Sequence, residues 1–443
     1  MRSARDLPSA SLVDIAQFNR LVVVPNALQG LFRRRPAAVA VAVRTDVDGA
    51  AVRLLAGMRR RYGGGPVWIR VMRDRALLLL DVAQIRRALE GSPAPFAADP
   101  PAKRRGMGHF QPHALTISRG AIWAERRRFT ETVLDTPSPM HRLGERFAAV
   151  AREETAALLD AVDDEITWKP WHAAFRRAVR RIVLGDDAAA DEELTDLLAG
   201  MMSEANRLPS GRSKRFDPFV GRLRGYVEAA EPGSLVALFG EAPSTRATET
   251  TGQVPHWLFA MSDTLPANAL RALALIAAHP DRRGPVRAEI AGEPRLVERR
   301  YLRACLQDAM RLYPTTPLLS RETVAEAEIG GAAVPAGTQV LWVNLFHHRD
   351  RDRLEFADRF APEAWTDGAA GGDWSFNHFS HGPQGCPGAH LAVLVGTAVL
   401  SEVLETRDVR LQAPHLSVDE PLPHMLDVFR TRVALAPPGP RPA

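Results

Sequence analysis

The periods of apolar and polar positions change along the chain and predict different elements in different regions. Residues 1–40 show no sustained period and are predicted to be irregular to weakly helical. Apolar, β-branched runs predict two short strands over residues 67–71 and 76–80, and a helix follows over residues 82–90. Residues 91–118 are rich in proline, alanine and basic side chains. They predict a long loop, and loops of this length in a compact domain are usually functional.

Helical periodicity then dominates from about residue 119 to 318. Strand patterns return over residues 318–345, and residues 346–385 are predicted to be irregular. A helix is predicted from residue 389 to about 405. No internal repeat or linker is visible, so the pattern indicates a mainly α body with small β-sheets.

Composition excludes some classes of protein. The 443 residues are 46% hydrophobic and 25% charged, which is ordinary for a globular chain. No run of eighteen apolar residues occurs, so no membrane span is expected. The net charge is +5, and almost all of the positive charge is arginine, since only Lys103, Lys169 and Lys214 are lysines. This bias is typical of a GC-rich coding background and is weak evidence for nucleic-acid binding. A docking surface for an acidic electron-transfer protein is a second use of the basic runs.

A spaced set of residues around Cys386 lies directly before the last predicted helix. The set comprises Phe379, Gly382, Gly385 and Gly388. The free N–H groups and the positive dipole end of a helix stabilise a thiolate at that position. The glycines before the cysteine would let the loop turn, Gly388 would let the chain approach a flat cofactor, and Phe379 would shield the sulfur. A cysteine taken alone is more simply a structural residue near a helix start.

The whole set resembles the heme-binding loop of the cytochrome P-450 superfamily. The resemblance implies that Cys386 is the proximal ligand of the iron of heme b, and that residues 1–443 form a single domain of that fold. Such a role leaves only Cys305 as a second cysteine, so no disulfide framework is expected, which fits a reducing cytoplasm.

An acid–alcohol pair lies in the apolar stretch over residues 254–278. Counting back from His279, which resembles the end of the family's long central helix, puts Asp263 and Thr264 at the pair, with Ala260 one turn before. An acid beside a hydroxyl can relay protons to bound oxygen. An ordinary Asp-Thr on a polar helix face is the alternative interpretation.

Two residues depart from the family's pattern in this stretch. Met261 stands where the family usually has glycine, and it would narrow the groove for dioxygen or point away from it. Pro266 has no N–H for the carbonyl of Ser262, so it should kink the helix.

Asp308 and Arg311 share one helix face and can pair. They resemble the Glu-x-x-Arg pair of the family, although a solvated surface pair is the common alternative. In the family a further arginine joins this pair, and Ala364 takes its place here. Arg359 is a candidate substitute.

Heme propionates need cationic or hydrogen-bonding partners. Trp123 and Arg127 resemble the family's Trp-x-x-x-Arg pair, and Arg321 matches a third partner. Gln384 stands where an arginine or histidine is usual, and His381 is a candidate to compensate. A solvated strand position is the alternative for Arg321.

The resemblance implies a monomeric, cytoplasmic heme-thiolate monooxygenase of secondary metabolism. Electrons would come from a separate ferredoxin and its reductase, with no nucleic-acid or membrane partner. A mostly apolar small molecule would bind between the distal helix, the 91–118 loop and helices near residues 191–232. Two alternatives stay open. One is atypical chemistry at the iron, such as peroxide use, cyclisation or nitrene-type group transfer, and the other is a non-catalytic binder of heme or a small ligand.

Overall fold

A computed structural model describes residues 2–207 and 212–438 of the chain. The described part is mainly helical with three small sheets, as the periodicity predicts. The α-helices are α1 (Leu12–Phe18), α2 (Val24–Gln29), α3 (Pro36–Arg44), α4 (Val47–Tyr62), α5 (Val82–Glu90), α6 (Pro101–Gly108), α7 (Gly120–Val133), α8 (Gly144–Ala161), α9 (Trp168–Leu184), α10 (Glu192–Ala205), α11 (Phe216–Ala229), α12 (Val254–Phe259), α13 (Leu265–Ala278), α14 (Pro280–Gly292), α15 (Arg300–Leu312), α16 (Asn344–His348), α17 (Glu363–Thr366) and α18 (Ala389–Thr406). Short 3-10 turns lie at Ala4–Asp6, Leu115–Ile117, Asp186–Ala188, Val236–Glu241, Arg246–Thr248, Thr250–Gln253 and Leu296–Glu298.

Three sheets flank the helices. The strands are β1 (Arg2–Ser3), β2 (Val67–Val71), β3 (Asp74–Leu78), β4 (Phe96–Ala97), β5 (Glu165–Thr167), β6 (Leu318–Thr323), β7 (Ala327–Ile329), β8 (Ala332–Val334), β9 (Gln339–Val343), β10 (Asp408–Ala413) and β11 (Arg432–Ala436). The largest sheet has the order β2-β3-β9-β6-β4, and the two smaller sheets have the orders β1-β8-β7 and β10-β11-β5. In the largest sheet Arg321 on β6 pairs with Val340 on β9, so a regular ladder sets the position of this arginine.

Two segments contain more regular structure than their sequences predict. The first forty residues hold α1, α2 and α3, with a π-helical turn at Asn19–Val23 joining the first two. The 91–118 segment holds β4 and α6 rather than one long loop. In both segments the helices are short, and tertiary contacts rather than a sustained period stabilise them.

The helix that follows Cys386 lies in the centre of the core. α18 packs against α8, α13 and α15, and most of its side chains are buried. It is the one helix of the described residues that is long and apolar enough to cross a membrane, but 67% of its apolar window is buried inside the protein. The core therefore accounts for its composition.

Candidate active site

The loop before α18 presents Cys386 to a large internal cavity. Gly388 is the N-cap of α18, and the backbone N–H of Cys386 donates to the carbonyl of Phe379 at 2.8 Å. The Cys386 side chain is solvent-accessible because it lines this cavity, although protein surrounds the cavity. Burial raises the pKa of the Cys386 thiol, although the Gly388 N–H and the Arg127 guanidinium lower it. A bound metal cation would reverse this balance, because a coordinating thiol is deprotonated.

The glycines of the loop differ in what they do. Gly382 has φ of +71°, and a Cβ there would lie 2.3 Å from the carbonyl oxygen of Leu89. Another residue would be both strained and blocked, so the predicted turning role of this glycine agrees with the geometry. A Cβ on Gly388 would meet only Leu134, at 3.6 Å. Gly388 and Phe379 both line the cavity. A larger side chain at position 388 would therefore be excluded only by a cofactor bound in the cavity.

The cavity has a volume of about 1180 Å³. Cys386 and Thr264 are both among its lining residues, together with Trp123, Arg127 and Arg321. Small-molecule sites usually measure about 300–1,000 Å³. The cavity is therefore large enough for a cofactor and a second small molecule.

Two enclosed cations at the cavity lack a carboxylate partner. Lys103 donates from Nζ to the Ala98 carbonyl at 3.0 Å and to Thr116 Oγ1 at 2.7 Å. Arg321 donates to the hydroxyl of Ser92 at 3.1 Å. Neither Lys103 nor Arg321 forms an ion pair with any residue that the structure describes. Burial lowers the pKa of Arg321 to about 10, and burial together with the Arg321 charge lowers the pKa of Lys103 to about 7.

This charge pattern fits an anionic group in the cavity. Enclosed cations are costly unless an anion compensates them, and the two propionates of a heme would supply that anion. Arg127 contributes differently, because it pairs with Glu131 at 2.7 Å and donates to the Gly385 carbonyl at 2.6 Å. It therefore also supports the cysteine loop. Lys103 was not predicted as a site residue. Its only signal in the sequence is that lysine is rare in this chain.

His381 does not take the predicted compensating role. Its Nε2 lies 3.1 Å from the Phe376 carbonyl, and its ring packs on Trp374 with centroids 4.9 Å apart. It is absent from the cavity lining, and Gln384 accepts a hydrogen bond from the Ala98 N–H at 3.0 Å. The prediction for His381 was wrong because the local backbone carbonyl holds the ring away from the cavity.

The distal helix is divided at the acid–alcohol pair. α12 and α13 are joined by a π-helical turn, Ala260–Thr264, in which the N–H of Leu265 donates to the carbonyl of Ala260. Pro266, where a kink was predicted, lies in the first turn of α13, and Trp171 of α9 donates its indole N–H to the Pro266 carbonyl at 2.9 Å. Such π-turns within helices are frequent at functional sites. α13 ends at Ala278, which agrees with the register counted from His279.

The acid–alcohol pair lines the cavity with Ala260. The Thr264 hydroxyl donates to the Ala260 carbonyl one turn back. Asp263 Oδ1 lies 3.3 Å from Nε2 of His172, whose ring stacks on Trp168 with centroids 4.8 Å apart. No local sequence signal points to His172, because α9 brings it to Asp263 from 91 residues away.

Met261 is 7% exposed and also lines the cavity. Of the two predicted alternatives for this residue, the one in which it narrows the space beside the π-turn agrees with that position.

Asp308 and Arg311 form a buried pair rather than a solvated one. Both side chains are fully buried, with Nε to Oδ1 at 2.5 Å. Arg311 also donates to the carbonyls of Ala357 at 3.0 Å and Arg359 at 2.8 Å. Arg359 thus contributes its backbone, while its own side chain donates to the Glu355 carbonyl.

Trp365 fills the place that the sequence left empty in this network. Its indole N–H donates to Asp308 Oδ1 at 3.1 Å, and the N–H of Ala361 donates to Oδ2 at 2.8 Å. The predicted substitution by the Arg359 side chain was therefore wrong, and an aromatic N–H completes the network.

The substrate-side lining differs in part from the prediction. Residues of the 91–118 segment line the cavity, as do Ser203, Asn206 and Arg207 at the end of α10. No residue of α11 does so. The N-terminal segment, including Val22, contributes lining that the sequence did not predict.

The fold and this cavity define a class of mainly helical proteins in which a cysteine loop and a divided helix line the same large cavity. The cytochrome P-450 family model matches residues 240–427, which include both sides of the site. Over these residues the chain is similar to the cytochrome P-450 family, and the charge pattern of the cavity fits the heme b that the resemblance implies.

Named relatives and a solved structure carry the same similarity, and the chain spans less than two thirds of the length of the relatives named here. The chain is 28% identical to cyclooctat-9-en-7-ol 5-monooxygenase of Streptomyces melanosporofaciens over 57% of this chain and 62% of the relative. It is 31% identical to sugiol synthase of Salvia miltiorrhiza over 48% of this chain and 50% of the relative. The retinoic acid-bound cyanobacterial CYP120A1 superposes with a TM-score of 0.68 and 18% identity, covering 86% of this chain and 93% of the other. That last similarity concerns the fold alone.

Lys103 should make heme affinity depend on pH. Its pKa is about 7 without an anion, and a propionate beside it would raise that value. Above pH 7, heme binding then takes up a proton, so affinity falls as pH rises; below pH 7 the lysine is charged in both states and its contribution is complete. We expect Lys103→Met to lose heme faster than wild type at pH 7 and to show a flatter pH dependence.

The measurement is the rate of heme transfer to excess apomyoglobin between pH 6 and 9. Lys169→Met is the matched control, because Lys169 is exposed and does not line the cavity. An unchanged rate and pH profile in Lys103→Met would exclude contact with a propionate.

Proposed function

We propose that the protein is a heme-thiolate monooxygenase with Cys386 as the proximal ligand. One observation carries the proposal: Cys386, the Asp263–Thr264 pair and the unpaired cations line the same cavity. When bound there, the heme supplies activation of dioxygen and insertion of one oxygen atom into a C–H or C=C bond. Cys386 would hold the iron through its thiolate, a ligand that would donate electron density and favour O–O cleavage. Trp123, Arg127, Arg321 and Lys103 would hold the propionates.

Asp263 and Thr264 of the distal helix would transfer protons to the reacting oxygen. Reduction of dioxygen to one inserted oxygen atom and one water consumes two electrons and two protons. Asp263 lies beside His172 and can exchange protons with it, while the Thr264 hydroxyl, released from the Ala260 carbonyl, would hand a proton on toward the cavity. The electrons would come from a separate ferredoxin and its reductase.

The substrate would be a small, mostly apolar molecule. The lining includes Met107, Trp257, Phe259, Val428 and Phe429, which offer apolar and aromatic surface. The names of the relatives, which include a cyclooctat-9-en-7-ol 5-monooxygenase and a sugiol synthase, favour a role in secondary metabolism. We also propose that the protein acts as a monomer in the cytoplasm.

Atypical chemistry at the iron is the second candidate. It is favoured by Met261, which lines the cavity where the family usually has glycine, and by the Thr264 hydroxyl, which is engaged by a backbone carbonyl. A peroxide-dependent reaction or a group transfer would not need the proton relay.

Thr264→Ala separates the two candidates. We expect the variant to bind the same ligands but to yield about tenfold less product per reducing equivalent, because the hydroxyl of the relay is missing. The assay uses a surrogate ferredoxin system and a compound selected by its change in heme absorbance. Product and consumed cofactor are both measured.

The control is Thr155→Ala, which removes the same type of hydroxyl-to-carbonyl bond in α8, away from the large cavity. Unchanged coupling in Thr264→Ala, with peroxide supporting turnover, would favour atypical chemistry. Spectral shifts without product in the wild type and in every variant would favour the hypothesis of a non-catalytic binder of heme or a small ligand.

A further inference from the structure

The cavity lining holds a second group of cations besides Lys103 and Arg321. Arg34 lies between α2 and α3, Arg271 lies on α13, and both side chains line the cavity. Neither forms an ion pair with a carboxylate in the part of the chain that the structure describes. The proposed propionate partners give these two arginines no role.

Both guanidinium groups lie against one short segment of the chain. Nη2 of Arg34 lies 3.5 Å from the Thr315 carbonyl, and Arg271 donates from Nη1 to the Tyr313 carbonyl at 2.9 Å. Thr315 and Tyr313 are two positions apart, and two residues of extended chain span at most about 7 Å. The fold therefore brings together two arginines that are far apart in sequence.

Unused donors distinguish these two arginines from a structural arginine of the same protein. Arg180 of α9 is buried, and all three of its guanidinium nitrogens donate to backbone carbonyls or to a threonine hydroxyl. Arg271 uses Nη1 and also Nε, which lies 3.4 Å from the Leu426 carbonyl, but its Nη2 has no partner among the described residues. Arg34 has only its long contact. Both side chains therefore keep donors that a ligand in the cavity can use.

One carboxylate lies near the two arginines without pairing with them. Asp48, in the first turn of α4, lines the same cavity. Burial raises the pKa of Asp48 to about 6, although the charges of Arg34 and Arg271 lower it. Asp427 also acts on Arg271, but Asp427 does not line the cavity, and it accepts a hydrogen bond from the Phe429 N–H at 2.9 Å. Positive charge is therefore in excess in this part of the lining.

This group of charges is separate from the proposed propionate partners. The charge of Arg321 acts on Lys103, whereas the charges of Arg34 and Asp48 act on Arg271. Burial, together with the Arg34 charge, lowers the pKa of Arg271 to about 10. Enclosed cations are costly unless an anion compensates them, so this part of the cavity favours an anionic group of its own.

Arg271 lies on the same face of the distal helix as Thr264. Thr264, Asn268 and Arg271 are spaced by four and then three positions, which is the spacing of one helix face, and all three line the cavity. Seven residues rise by about 10 Å along a helix. A ligand held at Arg271 would therefore extend along α13 toward the acid–alcohol pair.

We propose that Arg34 and Arg271 bind the carboxylate of a substrate whose remaining part is apolar. Guanidinium groups bind carboxylates through paired, charge-assisted hydrogen bonds. A carboxylate fits better than a phosphate dianion, because Asp48 would repel two negative charges more strongly than one. The inference rests on the proposed function and names its substrate class, an apolar molecule with a carboxylate roughly 10 Å from the reacting atom.

The test compares decanoic acid with decanamide in calorimetric titrations of the purified holoprotein. The two probes have the same apolar chain and nearly the same shape, and only the acid is charged at neutral pH. We expect the acid to bind at least about tenfold more tightly, because the amide cannot form charge-assisted hydrogen bonds with both arginines.

Substitution of either arginine should remove this preference. We expect Arg34→Gln and Arg271→Gln each to weaken binding of the acid about tenfold and to change binding of the amide by less than about twofold. Arg34→Lys should keep part of the affinity for the acid, because it keeps the charge but not the planar fork. If Arg271→Gln does not fold, the Arg34 variants decide the result, since Arg34 makes only one long contact.

Arg180→Gln is the matched control. It removes a buried arginine that does not line the cavity, so it should leave the ratio of the two affinities unchanged. Three results would overturn the proposal: equal binding of acid and amide by the wild type, no binding of either probe, or a preference that survives in both glutamine variants. Equal loss of the preference in Arg180→Gln would overturn it too, because the effect would then not depend on the cavity.

Product analysis with the surrogate ferredoxin system separates this proposal from the proposed function. Decanoic acid that binds through the two arginines but is not oxidised would contradict the monooxygenase and leave the carboxylate site standing. Oxidation of acid and amide with equal affinity would contradict the carboxylate site alone.

Discussion

Replacing Cys386 with serine is expected to abolish the spectrum of a thiolate-ligated heme. A serine hydroxyl remains protonated in this setting and binds iron weakly, whereas the cysteine sulfur lines the cavity at the N-terminus of α18. The ferrous carbon monoxide complex of the wild type should show the red-shifted band of thiolate ligation. The variant should lose that band and most of its bound heme.

Cys305→Ala is the control for this substitution. Cys305 is fully buried in α15, and burial raises the pKa of its thiol well above the usual range, as expected of an inert core residue. The control should keep the wild-type spectrum even if it is somewhat less stable. A thiolate spectrum in Cys386→Ser, or its loss only in Cys305→Ala, would contradict the assignment of the ligand.

Breaking the Asp308–Arg311 pair is expected to destabilise the protein by about 3–5 kcal/mol, because one buried charge remains uncompensated. Arg311→Met leaves Asp308 with hydrogen bonds from Trp365 and the Ala361 N–H but no positive charge, in a fully buried site. It also leaves the carbonyls that Arg311 binds without donors. The measurement is the free energy of unfolding in denaturant, or the soluble yield if the variant does not fold.

Two further variants provide comparisons for the loss of stability expected in Arg311→Met. Trp365→Phe removes one hydrogen bond to Asp308 and should cost about 1–3 kcal/mol. Glu90→Gln removes the exposed pair with Arg86 and should cost less than about 1 kcal/mol. If Arg311→Met were as stable as Glu90→Gln, the buried network would not support the fold.

Local patterns predicted several elements well. The strand at residues 67–71 and the helix at residues 82–90 have the predicted bounds, and the helix after Cys386 extends one residue beyond its predicted end. Each has a period or a flanking turn that short-range interactions set. The second strand was placed two residues late, and β3 is Asp74–Leu78.

Side chains that meet across the fold were the ones missed. His172 reaches Asp263 from α9, Trp365 reaches Asp308 from α17, and Lys103 comes to the cavity on α6. His172 is 91 residues from Asp263, and Trp365 is 57 residues from Asp308. The misplaced roles of His381 and Arg359 have a different origin, because carbonyls only four or five residues away accept their hydrogen bonds.

The mainly helical class, the cysteine loop and the acid–alcohol pair could be predicted from the sequence, because each depends on residues a few positions apart. The cations that line the cavity, the side chain that completes the Asp308–Arg311 network and the packing of the N-terminal helices became known only from the folded structure. Those features depend on contacts between segments far apart in the chain. The burial and charge that such contacts create cannot be derived from local periodicity.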